Sequence, residues 1–143
     1  MEALKQDVIE KLIETALAQR AFSYTPYSGF KVGAALMAKD GTIYTGCNIE
    51  NAAYGPSNCA ERTAFFKAVS EGVREFRAIC VVGGKGESLT EYAAPCGVCR
   101  QALTEFCEPE FPVLLVTAEG YEEHTLGELF PGFFTNLNGK TGQ

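Results

Sequence analysis

Three thiols and one carboxylate, in two short stretches, set the chemistry this chain could perform. In PCGVC, Cys96 and Cys99 stand three apart behind Pro95. That spacing puts both sulfurs in the first turn of a helix and on the same side of it. The positive end of the helix dipole is expected to lower both thiol pKa values. A single C-x-x-C leaves three readings open: a redox pair, half of a zinc site, or two unrelated core cysteines. SNCAERTAFF adds a third thiol, Cys59, with Glu61 two residues on and Arg62 three residues on, at the head of an apolar helix. If the helix starts that follow neighbouring parallel strands gather at one sheet edge, the three sulfurs converge on one metal ion.

Three protein ligands and an open fourth position describe a catalytic zinc rather than a structural one. Glu61 would reach a water at that position without ligating the metal, which makes it the expected proton shuttle. Its other reading is an N3 capping partner for Asn58, since Asn-x-x-Glu is a helix start signal. Three thiolates against two positive charges blunt the acidification of that water. Arg62 is expected to offset this by donating to the sulfurs, together with backbone N–H groups at both helix starts. The alternative for Arg62 is a solvated surface charge. Cys47, Cys80 and Cys107 read as structural thiols, and His124, far from the thiol motifs, as a surface residue.

A scaffold must bring these groups together. Leu4, Val8, Leu12 and Ala16 recur at helical spacing, so residues 2 to about 20 read as an amphipathic helix. After Pro26 and Gly29, KVGAALMAKDGTIYTGC reads as two antiparallel strands around an Asp40-Gly41 turn. The first, 32–38, is apolar at nearly every position, as befits a strand buried on both faces. AICVVGG (78–84) and PVLLVTAEG (112–120) share that character, each preceded by a helix, at 59–71 and at 96 to about 107. Strand, helix, strand, helix, strand predicts parallel crossovers in a mixed sheet with helices on both sides, a three-layer α/β/α sandwich. Thr125 and Glu128 offer a capping box to a short last helix.

The chain has 143 residues, 46% hydrophobic and 21% charged, so one domain over 1–143 is expected, with 136–143 as a frayed tail. Its net charge of −6, without any run of Lys or Arg, argues against a nucleic-acid polymer as partner. No stretch has the apolar length of a membrane span, and the charged N-terminus lacks the pattern of a secretory signal, so no membrane role and a cytoplasmic location are expected. In such a compartment six cysteines are read as reduced or metal-bound.

CAE followed by PCGVC matches the signature of the zinc-dependent deaminases, with Cys in a first ligand slot where many relatives carry His. YTPYSGFKVGAAL, GCNIENAAY and CAERTAFFKAVSEG narrow this. From about residue 10 to residue 134 the chain resembles the short, homotetrameric cytidine deaminases. The resemblance implies a central mixed five-stranded sheet and one Zn2+ per subunit on Cys59, Cys96 and Cys99, with Glu61 as the proton shuttle. It implies that Asn48 and Glu50 hold the ribose hydroxyls, that Phe30 lies against the pyrimidine, and that the backbone N–H beside Ala60 helps to position the reacting groups. It further implies a homotetramer with shared active sites, Phe134 of PGFF reaching a neighbouring site and Tyr54 acting similarly. The substrate would be a free nucleoside, cytidine or 2′-deoxycytidine, Glu50 repelling a 5′-phosphate. The long loop at 83–94 departs from the family pattern outside the ligands. Competing readings are a thiol-disulfide oxidoreductase on Cys96 and Cys99, a zinc-stabilised binding module, and a deaminase of a related base or nucleoside antibiotic. The first leaves Cys59 unexplained, the second requires a fourth protein ligand, and Asn48 and Glu50 argue against the third.

Overall fold

Helical spacing of apolar residues produces α1, Gln6–Gln19, which buries Ile9, Leu12 and Ala16. The structure, a computed structural model, describes residues 2–89 and 93–134, so the expected frayed tail lies outside the described residues. The helix begins later than the sequence pattern suggests because the backbone of Lys5 is extended and no side chain caps the start. Leu4 still packs beside the same core. At its other end the chain tightens into a 3-10 turn, Arg20–Phe22. Arg20 is only 9% exposed. Its guanidinium donates to the carbonyls of Lys31, Gly84, Gly86 and Ser88 at 2.7–3.1 Å, pinning the start of the 83–94 loop to α1.

The predicted hairpin is present as β1, Phe30–Ala38, and β2, Ile43–Cys47, in antiparallel register from Gly33 opposite Cys47 to Met37 opposite Ile43. Gly41 takes the positive φ of 95° that the turn requires. Next come α2, Ala60–Ser70; β3, Phe76–Lys85; α3, Gly97–Leu103; and β4, Pro112–Thr117. A fifth strand, β5, Gly120–Thr125, follows directly. The residues at 112–120, read from the sequence as one strand, therefore divide into the whole of β4, a tight turn at 118–119 and the first residue of β5. The last helix, α4, Leu126–Leu129, carries the expected capping box: the Thr125 hydroxyl accepts from Glu128 N–H and the Glu128 carboxylate from Thr125 N–H.

The sheet order is β2-β1-β3-β4-β5. β1 runs antiparallel to both β2 and β3, so β2 and β3 point the same way, and β3 pairs parallel with β4. One face of the sheet packs on α1 through Ala35, Met37, Cys80, Val82 and Leu114. The other packs on α2, α3 and α4 through Ala34, Leu36, Ile79, Val81, Val113 and Leu115. These are the three layers of the α/β/α sandwich. The alternation of the two sets along β1, β3 and β4 explains why those strands read as unbroken apolar runs. Among the described residues no helix is long and apolar enough to cross a membrane. His124 proves half-buried rather than superficial, its ring on the edge strand bonded to Glu122 at 2.9 Å.

Gly46 decides how closely α2 approaches the sheet. A Cβ there would lie 2.2 Å from the Ala60 carbonyl oxygen and 2.6 Å from the Ala64 nitrogen, both backbone atoms. Gly46→Ala therefore has to push α2 outward, and overpacking of this kind costs about 2 kcal/mol. Because Cys59 is the N-cap of α2, the same variant is expected to retain less zinc, read from denaturation midpoints and metal content.

Candidate metal centre and active site

β2 and β3 leave the sheet in the same direction, so the segments after them emerge at one end, and each opens a helix there. Cys59 is the N-cap residue of α2 and Cys96 that of α3, with Cys99 in the first turn of α3. The three sulfurs lie within 4.8 Å of one another, at 3.5 Å for Cys59 to Cys96 and 3.3 Å for Cys96 to Cys99. A tetrahedral ion with Zn–S bonds near 2.3 Å separates its sulfurs by about 3.8 Å, so this donor set fits zinc with small adjustments. Among the described residues no other group of three or more His, Cys, Asp or Glu offers a metal site. None of the six cysteines is in a disulfide.

The protonation pattern corrects one expectation. In the metal-free cluster the first proton leaves Cys59, whose thiol falls to about 5 because Cys99, Arg62 and Cys96 all hydrogen-bond its thiolate. Cys99 moves upward, not downward: it is the donor to that thiolate, and burial adds to the effect. The helix dipole is outweighed by the neighbouring negative sulfur. A bound divalent ion reverses this, since a coordinating thiol is deprotonated outright.

Glu61 is only 4% exposed and sits in the first turn of α2. Asn58 does not cap the helix: it precedes the N-cap, no side chain caps the start, and its amide instead donates to Thr63 Oγ1 at 3.1 Å. The capping reading of Glu61 therefore falls. Burial pushes the Glu61 carboxyl up to about 7, with the Cys59 thiolate adding to the rise; a cation in the cluster would draw it down again. Arg62 is partly buried rather than a solvated surface charge, and its Nη2 donates to Cys59 Sγ at 3.5 Å. Its Nε is buried without a hydrogen-bond partner. The sulfur contacts raise the Arg62 pKa further, so it stays charged beside the thiols. Arg62→Gln removes that positive charge and is expected to weaken zinc retention about tenfold, as loss of outer contacts to metal ligands does. Competition with a chromophoric chelator measures this, and an unchanged affinity would remove Arg62 from the site.

A cavity of about 420 Å3 opens in front of the cluster, lined by Phe30, Asn48, Glu50, Tyr54, Ala60, Glu61 and Arg62 as well as Cys59 and Cys96. Cys99 lies fully buried behind. The first intrahelical bond of α2 is Thr63 N–H to Cys59 O, which leaves the N–H groups of residues 60–62 facing the site without an intrahelical acceptor. Asn48 spends part of its amide on β1, accepting from Val32 N–H at 2.9 Å and donating to the Phe30 carbonyl at 2.8 Å. Tyr54 has a φ of 59°, the one positive value among described non-glycine residues, and its ring is exposed. Phe134 is not among the residues lining this cavity; it is 76% exposed, with its carbonyl bonded to Gln101.

Other lining residues carried no signal in the sequence. Val32 and Ala93 form part of the wall. A side chain at Gly83 would meet Ala93, Phe30 and Val32 within 3.1 Å, so a bare backbone there is what lets these groups converge. Nothing in a β-strand glycine distinguishes such a position from a weak strand residue until its neighbours are known.

A sequence profile of the cytidine and deoxycytidylate deaminase zinc-binding region matches residues 6–115, a span that includes the three thiols and Glu61. The chain belongs to this deaminase family. Among its relatives, the cytidine deaminase of Sporosarcina psychrophila is 54% identical over 128 residues, covering 89% of this chain and 91% of the relative. The enzyme of that name from Halalkalibacterium halodurans is 49% identical over 127 residues, or 88% and 93%. The crystal structure of cytidine deaminase from Burkholderia pseudomallei superposes with a TM-score of 0.80 at 45% identity, covering 92% of this chain and all of that one. As a member of a zinc-binding deaminase family, the chain has in Cys59, Cys96 and Cys99 a donor set suited to one Zn2+ per subunit.

Proposed function

We propose that the chain is a single catalytic domain that hydrolyses cytidine and 2′-deoxycytidine to uridine and 2′-deoxyuridine with release of ammonia. The observation that carries this is a buried carboxylate, Glu61, beside three converging thiols at the head of an open cavity. The names of the deaminase relatives point the same way.

Zinc held by Cys59, Cys96 and Cys99 would supply Lewis-acid chemistry, bringing the pKa of water at its open position to about 7. Glu61 accepts a proton from the attacking water and delivers it to N3 of the ring while oxygen adds at C4. It then takes the remaining proton from the hydroxyl added at C4 and carries it to the exocyclic amine, so that the C4–N bond breaks, ammonia leaves and the C4 carbonyl forms. The N–H groups near Ala60 and Cys96 and the Ala94 carbonyl orient the reacting groups. Phe30 packs against the ring, and Asn48 and Glu50 take the sugar hydroxyls.

Electrostatics favour a nucleoside over a nucleotide. Arg62 is the one cation among the described residues that line the cavity, and it is turned to Cys59. A 5′-phosphate would meet Glu50 with nothing to neutralise it. The exposed rings of Tyr24, Tyr27, Tyr54 and Phe134 support a homotetramer in which Phe134 and Tyr54 complete a neighbour's site. Reduced thiols suit the cytoplasm.

The test is a panel of cytidine, 2′-deoxycytidine, cytosine, CMP and adenosine, each assayed for ammonia and deaminated product. Turnover of the two cytosine nucleosides alone is expected; preference for CMP would overturn the nucleoside reading. Light scattering after gel filtration tests the assembly, a fully active monomer being the result that removes Phe134 from the site.

A further inference from the structure

Glu50 is held by a turn 22 residues away in sequence. Its Oε1 accepts from the Tyr27 N–H at 3.0 Å and the Ser28 N–H at 3.2 Å, and its Oε2 accepts from the Ser28 hydroxyl. The same Ser28 oxygen accepts from Phe30 N–H at 3.0 Å. Gly29, at a φ of 70°, closes the turn through its N–H to the Thr25 carbonyl. Asn48 grips the other side of Phe30 through its carbonyl.

A carboxylate offers about four acceptor directions, and three are taken here. The one left lies on Oε2, the oxygen that Ser28 holds, and Glu50 lines the cavity. A side chain at the mouth of a cavity otherwise samples several rotamers, and ordering it on binding costs affinity. Ser28 removes that cost before a ligand arrives. It also holds the Glu50 carboxyl below its usual range, its hydroxyl being the largest cause.

We propose that Ser28 is a positioning residue for nucleoside recognition, fixing the Glu50 carboxylate with one acceptor open toward a sugar hydroxyl and joining that grip to the backbone of Phe30. The inference rests on the nucleoside reading above. Ser28 touches no reacting atom, so its loss acts on binding, which appears in KM with kcat preserved.

The experiment compares wild type, Ser28→Ala, Ser28→Thr, Glu50→Gln and the Ser28→Ala/Glu50→Gln double variant, with cytidine kinetics and calorimetric binding of the product uridine. Ser28→Ala is expected to raise KM and weaken uridine binding about tenfold, as loss of a hydrogen bond to a charged group does, with kcat within about twofold and zinc content unchanged. Ser28→Thr should restore binding. In the Glu50→Gln background Ser28→Ala should add little further loss, since contacting residues couple in a double-mutant cycle. Additive losses, or a Ser28→Ala variant within about twofold of wild type, would overturn the proposal. A wild-type chain that neither deaminates cytidine nor binds uridine would instead overturn the nucleoside reading, and this inference with it.

Discussion

Glu61→Gln is expected to lower kcat for cytidine by about a thousandfold while zinc content and fold stay as in wild type. The amide is isosteric with the carboxyl and fits the same buried position, but it can neither accept the proton of the attacking water nor hand one to N3 or the leaving amine. Burial makes substitution by solvent difficult, because a side chain 4% exposed has almost no water beside it to relay protons in its place. The alternative, that Glu61 serves only the start of α2, predicts a loss of stability with turnover largely kept. Steady-state rates, metal analysis and thermal unfolding on the same preparation separate the two. Retention of more than about a few per cent of wild-type kcat would end the shuttle role.

Cys99→Ala is expected to abolish stoichiometric zinc and, with it, turnover. Cys99 is fully buried and its sulfur lies 3.3 Å from that of Cys96, so no exposed side chain can take its place. The two remaining thiols fall short of the three protein ligands that a catalytic zinc site normally has. The sheet should survive, since the two core clusters that bind its faces include none of the three thiols. Circular dichroism close to wild type, together with a lower unfolding temperature from the lost metal linkage, is therefore expected. Chelation of the wild-type enzyme should reproduce both effects and zinc should reverse them. A variant holding one zinc per chain would show that another residue supplies the third ligand.

The three-thiol cluster was legible because each motif is local: thiol, carboxylate and arginine lie within four positions at one helix start, and the C-x-x-C opens the other. Strands β1, β3 and β4 were legible because burial on both faces leaves them apolar throughout. β5 was not, since an edge strand with polar side chains gives no hydrophobic period. The expected extent of the helix after Cys96 was too generous. α3 ends at Leu103, where the Thr104 hydroxyl turns back to the Gln101 carbonyl, a local bond that propensity does not reveal.

The sequence by itself determined which atoms could bind a metal and move a proton, because those functions need particular residue types at helix starts. Only the tertiary structure decided that the two helix starts meet, through a shared strand direction set by β1 lying between β2 and β3. It also decided that Gly83 leaves room for Phe30 and Ala93, that Ser28 holds Glu50, and that the neighbouring Cys59 thiolate and burial push the Cys99 thiol up. Each of these depends on distances between residues remote in the chain, and neither spacing nor composition contains such distances.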